Sequence, residues 1–580
     1  MSKILKAILP CLLFAALLLL IATTSMRRKS LTADELSHLS SGYTYVALKD
    51  FQLNPEHPPL LKYLSGLSVA TAHPKIETDN WSKENQWLFG EKFLYKWNDA
   101  DRMLFLGRLA IVFVSILLGI SLYCCAWELY GWKAGCLALL LYLINPDFLA
   151  HGQLVTTDLG LSCFIFLAVY TFWRALNRLS VGRVLVAGLA TGLALASKFS
   201  GVLVFPMFVL VGAVFIFTKQ PLELAPLKRL IAGRTFNSYF QKTCAVLGLI
   251  VVVGLMSWLM IWASYGFRYQ VSPDPAISQN LAWKEFQLRP GLSMDLAIWA
   301  RNYRLVPEAY AYGFAYVARH TEGRWAFLLG EFSPTGYWYY FLATFLVKTP
   351  VALIILIGLG IYFIRRYGAG WRSEAMLLLP ALFYLLFALA TPLNIGHRHI
   401  LPIYPFLIVF AAKVARAFDE AGARRLQWAI GLLLAWNIGA TTYIYPHFLS
   451  YFNEIAGGPA RGYRWLVDSN LDWGQDLKGL GEWRRRHPEG KFYVSYFGNG
   501  DPSYYLPDGV LLPSWPKKVP RFASFDNLPS GSLVAISATN LQCLMLGNQA
   551  YPGIEEFMAR MREMTPIDHI GYSIFIYRMP

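Results

Sequence analysis

The chain has 580 residues, of which 56% are apolar, 16% aromatic and only 15% charged. An ordinary soluble protein is excluded, because several apolar runs reach the roughly 20 residues needed to cross a bilayer. The formal net charge of +16 does not mark a nucleic-acid binder, since Lys and Arg gather in short segments between apolar runs, the positive-inside pattern.

The first apolar run, 6–24, follows Lys3 and Lys6 and ends without a small-x-small cleavage site. It reads as a retained anchor with a cytoplasmic N-terminus. A polar stretch from Thr32 to Leu67 comes next and concentrates Asp34, Glu35, His38, Glu56 and His57. Thr32 and Glu35 have capping-box spacing, with Thr32 as N-cap and Glu35 reaching back from the third helical position. Asp34 and His38 stand four apart and share a helix face. A carboxylate at a helix N-terminus is favoured as the anion, which suits a base or a metal ligand. Pro58 and Pro59 fit the first turn of a second helix carrying Leu60, Leu61, Leu64 and Leu67.

Further spans are predicted near 104–127, 134–149, 155–175, 184–199, 201–218, 243–264, 338–363, 375–392, 400–416 and 427–445. The eleven make a polytopic all-α membrane unit over 1–445, with external loops 25–103 and 265–337, followed by an external domain over 446–580. Arg174, Arg178, Arg183, Lys219, Lys228, Arg229, Arg234, Lys242, Arg365, Arg366, Arg372, Lys413, Arg416, Arg424 and Arg425 then fall inside. Loop 150–154 has no Lys or Arg, and loop 393–399 has only Arg398. On this topology Asp34, His151, Asp158, Lys198, Ser200 and His397-Arg398-His399 all lie near the outer face. Loop 265–337 is aromatic, holding Trp299, Tyr303, Tyr310, Tyr312, Phe314, Tyr316 and Trp325, and reads as short interfacial helices. Lys348, about eleven residues into its span, needs a polar cleft or a partner.

The tail is polar. KFYVSYF (491–497), SLVAISA (532–538) and YSIFIY (572–577) read as strands, and GIEEFMARMREM as a helix. Asp468 is expected to cap a helix running to about Arg486, with Asp468, Asp472 and Asp476 on a solvated or capping face. A small α/β domain is the natural reading. Six of the seven cysteines lie in or beside apolar runs, with Cys543 alone in the tail, and no disulfide framework is visible.

Asp34-Glu35 after the first span, NPEHPPLLK (54–62), TTD (156–158), SKFSG (197–201) and GHRHILP (396–402) together resemble the family 39 glycosyltransferases. These include the protein O-mannosyltransferases and the lipid A aminoarabinose transferases, and have the multi-span GT-C fold. The tail motif YFNEIAGG…LVDSNLDWGQDL resembles uncharacterised bacterial members and adds no chemistry. The resemblance implies a polyprenyl-phosphate-sugar donor used at the external face of a bacterial inner membrane. It implies a glycan, lipid or protein acceptor, membrane lipids as surroundings and no nucleic acid. Its first-loop acidic position matches Asp34 and its second matches Asp158. His57 stands where the aminoarabinose transferases have Lys.

The chemistry asks for the same residue types independently: a base for the acceptor proton and cations for the leaving phosphate. Asp34 is the candidate base, and Asp158 a second acid-base group or an orienter. Glu56, His57, Lys198, Lys348, His397, Arg398 and His399 are candidate substrate or phosphate ligands. The leaving phosphate is already ionised, so a single inverting displacement suffices. A divalent metal on Asp34, His38, Glu56 and His57 is allowed but not required. A lipid-linked glycan transporter or a membrane metalloenzyme are the alternatives. The charge asymmetry predicts that a reporter active only in the cytoplasm, fused after Pro580, stays silent; strong activity would refute the topology.

Overall fold

The computed structural model describes residues 3–77, 85–225, 234–274, 281, 283, 291–320, 325–516, 528–543, 551 and 553–580. Lys228 and Arg229, counted above among the inside charges, lie outside the described residues. The helical part opens with α1 (Lys3–Met26), α2 (Glu35–Ala47), α3 (Leu60–Ala70), α4 (Ala100–Tyr130), α5 (Trp132–Leu143) and α6 (Pro146–His151). It continues with α7 (Asp158–Asn177), α8 (Val181–Ser197), α9 (Val204–Phe217) and α10 (Tyr239–Ser264). Two helices of the aromatic loop follow, α11 (Leu292–Asn302) and α12 (Glu308–His320). Then come α13 (Tyr340–Lys348), α14 (Val351–Tyr362), α15 (Trp371–Leu389), α16 (Tyr404–Ala412) and α17 (Arg424–Ile444).

The eleven expected segments all coincide with helices, but eleven is an approximate count of crossings. Among the described residues seven helices are long and apolar enough to cross a membrane singly, and α13 with α14 makes an eighth if taken as one broken span. Helices α5 and α8 are apolar but shorter. Local sequence sets the helix ends. Asp99 caps α4 by accepting from the Arg102 amide at 3.1 Å, and Ser238 with Gln241 forms a capping box on α10. Asn145 accepts from Asp147 and Phe148 while Pro146 fills the first position of α6.

The α13–α14 pair bends by 106°, because Pro350 cannot donate the amide that would continue α13. This revises the expected depth of Lys348, which lies at the end of a half-helix rather than in the middle of a straight span. Several cations read as loop charges are structural instead. Lys413 is fully buried and donates to Glu374 at 2.5 Å, and Arg416 donates to the carbonyls of Leu129, Tyr130, Tyr367 and Gly368. The aromatic loop is divided in the same way. Trp299 and Tyr303 are exposed on and beside α11, while Tyr312 is buried and Tyr310 meets Phe199 edge-on at 5.1 Å.

The tail forms a five-stranded mixed sheet. In chain order its strands are β1 (Phe492–Ser495), β2 (Val510–Leu511), β3 (Leu533–Ser537), β4 (Asp568–Ile570) and β5 (Ile574–Arg578), and in space β2-β1-β3-β5-β4. β1 pairs in parallel with β2 and β3, and β5 runs antiparallel to β3 and β4. Helices α18 (Leu477–Arg486) and α19 (Ile554–Glu563) accompany it. Leu477, Leu480 and Trp483 of α18 share a core with Phe492, Val494, Leu533 and Ile576. Leu449, Phe452, Leu466, Leu471 and Trp473 join the core of the helical bundle instead. The expected helix from Asp468 is corrected: a 3-10 turn covers 468–470, and α18 starts only at Leu477. Asp472 and Asp476 are buried, not solvated.

Helix α2 is fixed by a close backbone crossing and by a buried ion pair. Gly42 and Gly66 bring its backbone against α3, since a Cβ at Gly42 would lie 2.1 Å from the Lys62 carbonyl oxygen. Glu35, fully buried, accepts from Arg108 Nε at 2.8 Å and from an Arg108 terminal nitrogen at 2.5 Å. It also accepts from the Val155 amide at 2.9 Å and the Thr32 amide at 2.8 Å. The Thr32–Glu35 contact of the capping box is therefore present, although the helix begins at Glu35 and not after Thr32. Removing one partner of a buried pair strands the other charge. Arg108→Met is expected to lower stability by about 3–5 kcal/mol in thermal or denaturant unfolding of the solubilised chain, and adding Glu35→Met should recover most of that loss.

Candidate functional site

Four separate elements meet at one end of the bundle. Asp34 stands immediately before α2, and Asp158 opens α7. Lys198 terminates α8 in an extended conformation, and Arg398 lies in the 3-10 turn His397–Ile403 that leads into α16. A terminal nitrogen of Arg398 donates to Asp34 Oδ2 at 2.8 Å and to Asp158 Oδ2 at 3.4 Å. Lys198 donates to the other oxygen of Asp158 at 2.6 Å. The result is a chain of alternating charge, Asp34–Arg398–Asp158–Lys198, drawn from four of the expected site positions. Arg398 Nε is buried and takes no hydrogen-bond partner among the described residues. Asp34 is 28% exposed through its side chain and Asp158 only 2%, so the two carboxylates differ in access.

Adjacent residues on a helical turn point in different directions, and that separates Asp34 from Glu35. Glu35 turns inward to Arg108, and Asp34 turns toward Arg398. One turn further on, His38 is buried and donates from Nδ1 to the Val155 carbonyl at 2.8 Å. Val155 thus has its amide held by Glu35 and its carbonyl by His38, so α2 shapes the turn that delivers Asp158. The His57 ring meets His38 edge-on at 5.3 Å. The loop carrying His57 is gathered by Lys62, whose ammonium donates to the carbonyls of Asn54 and His57 at 2.6 and 2.8 Å and to the Tyr45 hydroxyl at 2.8 Å. Gln86 donates to Glu56 at 2.9 Å.

The GHRH stretch does not act as one cluster. In a 3-10 turn successive side chains lie about 120° apart. His397 points inward, with Nε2 2.8 Å from the Tyr404 hydroxyl and 3.4 Å from Asp147 Oδ2. Arg398 points to the carboxylates, and His399 lies near the Phe341 ring at 6.5 Å. Lys348 is buried and donates to the carbonyls of Leu449 and Asn470 at 2.8 and 2.7 Å. It therefore fastens the C-terminal segment to the bundle. The metal set is also not assembled: among the described residues no group of three or more His, Cys, Asp or Glu side chains is placed to hold an ion, Asp34, His38, Glu56 and His57 included.

Burial alone would raise the carboxyl pKa of Asp34, but the Arg398 guanidinium and His38 outweigh it and hold the group below the usual range. Burial pushes His38 down to about 4, against the opposing pull of Asp34, and holds His57 well below its ordinary value. Both imidazoles are neutral at physiological pH.

Three further residues, Arg108, Lys62 and Trp473, shape the site. Arg108 stands inside an apolar run, and a cation in a span was itself a signal. Lys62 lies within the quoted NPEHPPLLK and organises that loop. Trp473 lies in the tail motif regarded as carrying no chemistry, yet its ring lies 4.1 Å from the Arg398 guanidinium.

Residues 11–262 match the family model described as dolichyl-phosphate-mannose-protein mannosyltransferase. No curated protein matches the chain. Among solved structures, ArnT from Cupriavidus metallidurans bound to undecaprenyl phosphate is 13% identical, with 97% of each chain covered and a TM-score of 0.46. The Saccharomyces cerevisiae protein O-mannosyltransferase complex Pmt1-Pmt2 bound to the sugar donor is 16% identical over 46% of this chain and 34% of that one, at a TM-score of 0.34. The oligosaccharyltransferase AglB from Archaeoglobus fulgidus, in complex with an inhibitory peptide and a dolichol-phosphate, is 13% identical over 94% and 72%, at 0.40. Scores this low assign no role to a residue of this chain.

The His38 pKa makes a prediction independent of activity. Between pH 6.5 and about 4 the unfolded chain binds a proton at His38 that the folded chain does not, so stability falls as pH is lowered through that window. The contribution is on the order of 3 kcal/mol. His38→Gln, whose amide can still donate to Val155, should flatten the melting-temperature profile between those pH values. From its match over residues 11–262, which is under half of its length, this multi-span membrane chain is similar to the dolichyl-phosphate-mannose-protein mannosyltransferases.

Proposed function

We propose that the chain transfers a sugar from a polyprenyl-phosphate-linked donor to a hydroxyl or other nucleophile of an acceptor at the external face of the membrane. The observation that carries this reading is the unequal pair of carboxylates on one guanidinium: Asp34 partly open, Asp158 closed, and Arg398 between them, its Nε without a partner among the described residues. Asp158, anchored by Lys198, orients Arg398. Asp34 is the group an acceptor can reach.

The four charges sum to zero, so an anionic phosphate arriving at Arg398 competes with the carboxylates already there. Nε is the donor available to it first, and a planar guanidinium suits phosphate oxygens. As the phosphate draws on Arg398, the guanidinium loosens from Asp34 and the carboxylate becomes more basic. Docking of the donor thereby prepares the base. The acceptor oxygen then attacks the anomeric carbon, its proton passes to Asp34, and the bond from that carbon to the phosphate oxygen breaks with its electron pair going to the phosphate. One displacement inverts the anomeric centre, and the departing anion stays paired with Arg398 and Lys198. His57 and His399 flank this centre, Glu56 supports the loop, and His397 and Lys348 serve the scaffold through the contacts described above.

Asp34→Asn keeps size and the hydrogen bond to Arg398 while removing the base. It should lower turnover of a polyprenyl-phosphate sugar by at least 10²–10⁴-fold, the order expected for acid-base catalysis, with donor binding retained. Near-normal turnover in this variant would overturn the role of Asp34.

A further inference from the structure

The tail motif reaches the chain of charges from two directions. On one side the first external loop runs beside residues 473–477. The Ala33 amide donates to the Trp473 carbonyl at 2.9 Å, directly before Asp34, and the Ser30 amide donates to the Gln475 carbonyl at 2.9 Å. The Ser30 hydroxyl donates to the Gly474 carbonyl at 2.9 Å and accepts from the Leu477 amide at 2.9 Å. On the other side the same segment holds the turn of Arg398. Asn470 accepts from the His397 amide at 2.7 Å, and the Ser469 hydroxyl donates to the Ile395 carbonyl at 2.9 Å. The Trp473 ring, only 2% exposed, covers the guanidinium of Arg398 with 4.1 Å to the ring centroid.

The segment is rigid enough to transmit this placement. Gly474 sits at φ +93°, and a Cβ there would lie 2.5 Å from the Tyr496 hydroxyl, which donates to the Gly474 carbonyl at 2.8 Å. Behind it, Asp472 accepts from the Thr539 amide at 2.9 Å and Asp476 from Lys29 at 2.5 Å. The bracket is thus fixed at once to the sheet domain and to the first loop.

We infer that Trp473 is a positioning residue of the phosphate-binding centre, its indole face setting the plane of Arg398 while its carbonyl holds the segment that carries Asp34. A guanidinium forms hydrogen bonds within its plane and is attracted by an aromatic ring through its face. The two interactions do not compete. With one face covered by indole, the guanidinium keeps a terminal nitrogen directed at the carboxylates and its in-plane Nε for an incoming anion. The inference rests on the reading of Arg398 as the phosphate ligand, and it gives the tail motif a function in the site.

The test uses the full-length chain in nanodiscs, with a polyprenyl monophosphate as the probe. The variants are Trp473→Leu, Trp473→Phe, Arg398→Ala and the double Arg398→Ala/Trp473→Leu, and each is also followed by thermal unfolding. Trp473→Leu keeps apolar bulk without a π face and is expected to bind the probe about tenfold more weakly. Trp473→Phe, whose ring attracts cations less well than indole, should fall between Leu and the native chain. The double variant should bind no more weakly than Arg398→Ala alone, because residues acting as one unit are not additive. Native affinity in folded Trp473→Leu beside a weakened Arg398→Ala overturns the inference and leaves the phosphate reading standing. Additive losses in the double variant overturn it as well, since Trp473 then acts elsewhere. Native affinity in Arg398→Ala overturns the phosphate reading and this inference with it. Should Trp473→Leu fail to fold, Trp473→Phe decides: weaker binding supports the inference and native affinity refutes it.

Discussion

The placement of Arg398 governs the architecture around it. A guanidinium this deeply buried is tolerated only if its charge is compensated on the spot, and the compensation comes from two carboxylates, Asp34 and Asp158, far apart in the chain. Each sits where a helix begins, and Lys198 sits where another ends. Three helix termini are therefore drawn to one guanidinium by a single electrostatic requirement. Polar groups gathered at helix ends also leave the apolar bodies of those helices free to face lipid or one another.

Glu35 and Arg108 supply the rigidity that this arrangement needs. Their pair is fully buried, and Glu35 spends its remaining acceptor capacity on the amides of Val155 and Thr32. Two neighbouring acidic residues thus take different partners, Glu35 inside the bundle and Asp34 at Arg398. Asp34 can be partly open because Glu35 is closed, and α2 cannot rotate without breaking both contacts. The close crossing at Gly42 and Gly66, two turns along the same helix face as Glu35, adds a steric stop.

Much of this was legible in the sequence. The apolar runs marked the helices because length and composition decide membrane insertion, and alternation marked the strands near 492–495, 533–537 and 574–578. Asp34, Asp158, Lys198 and Arg398 could each be singled out by residue type and position in a loop. Their pairing could not, since nothing local says which cation meets which anion. The three residues of GHRH looked equivalent because a string of letters does not show a 3-10 turn, which sends them three ways. Lys348 looked like a site residue because a deep cation is costly, but the carbonyls of Leu449 and Asn470 that meet that cost come from far along the chain. Asp472 and Asp476 looked solvated for the same reason: their partners Thr539, Lys29 and Ser573 are remote in sequence.

The bracket at 469–477 also has a consequence for how the molecule comes into being. Every helix of the bundle is synthesised before it, and the strand β3 and Thr539 that steady it come later still. A nascent chain whose helices are already in the membrane therefore lacks the parts that orient Arg398 and align Asp34. At ordinary rates of translation, about 5–20 residues per second, that interval lasts seconds. The centre is completed only when the last strands fold, so synthesis itself acts as a timer, and a truncated product would occupy the membrane without a finished centre.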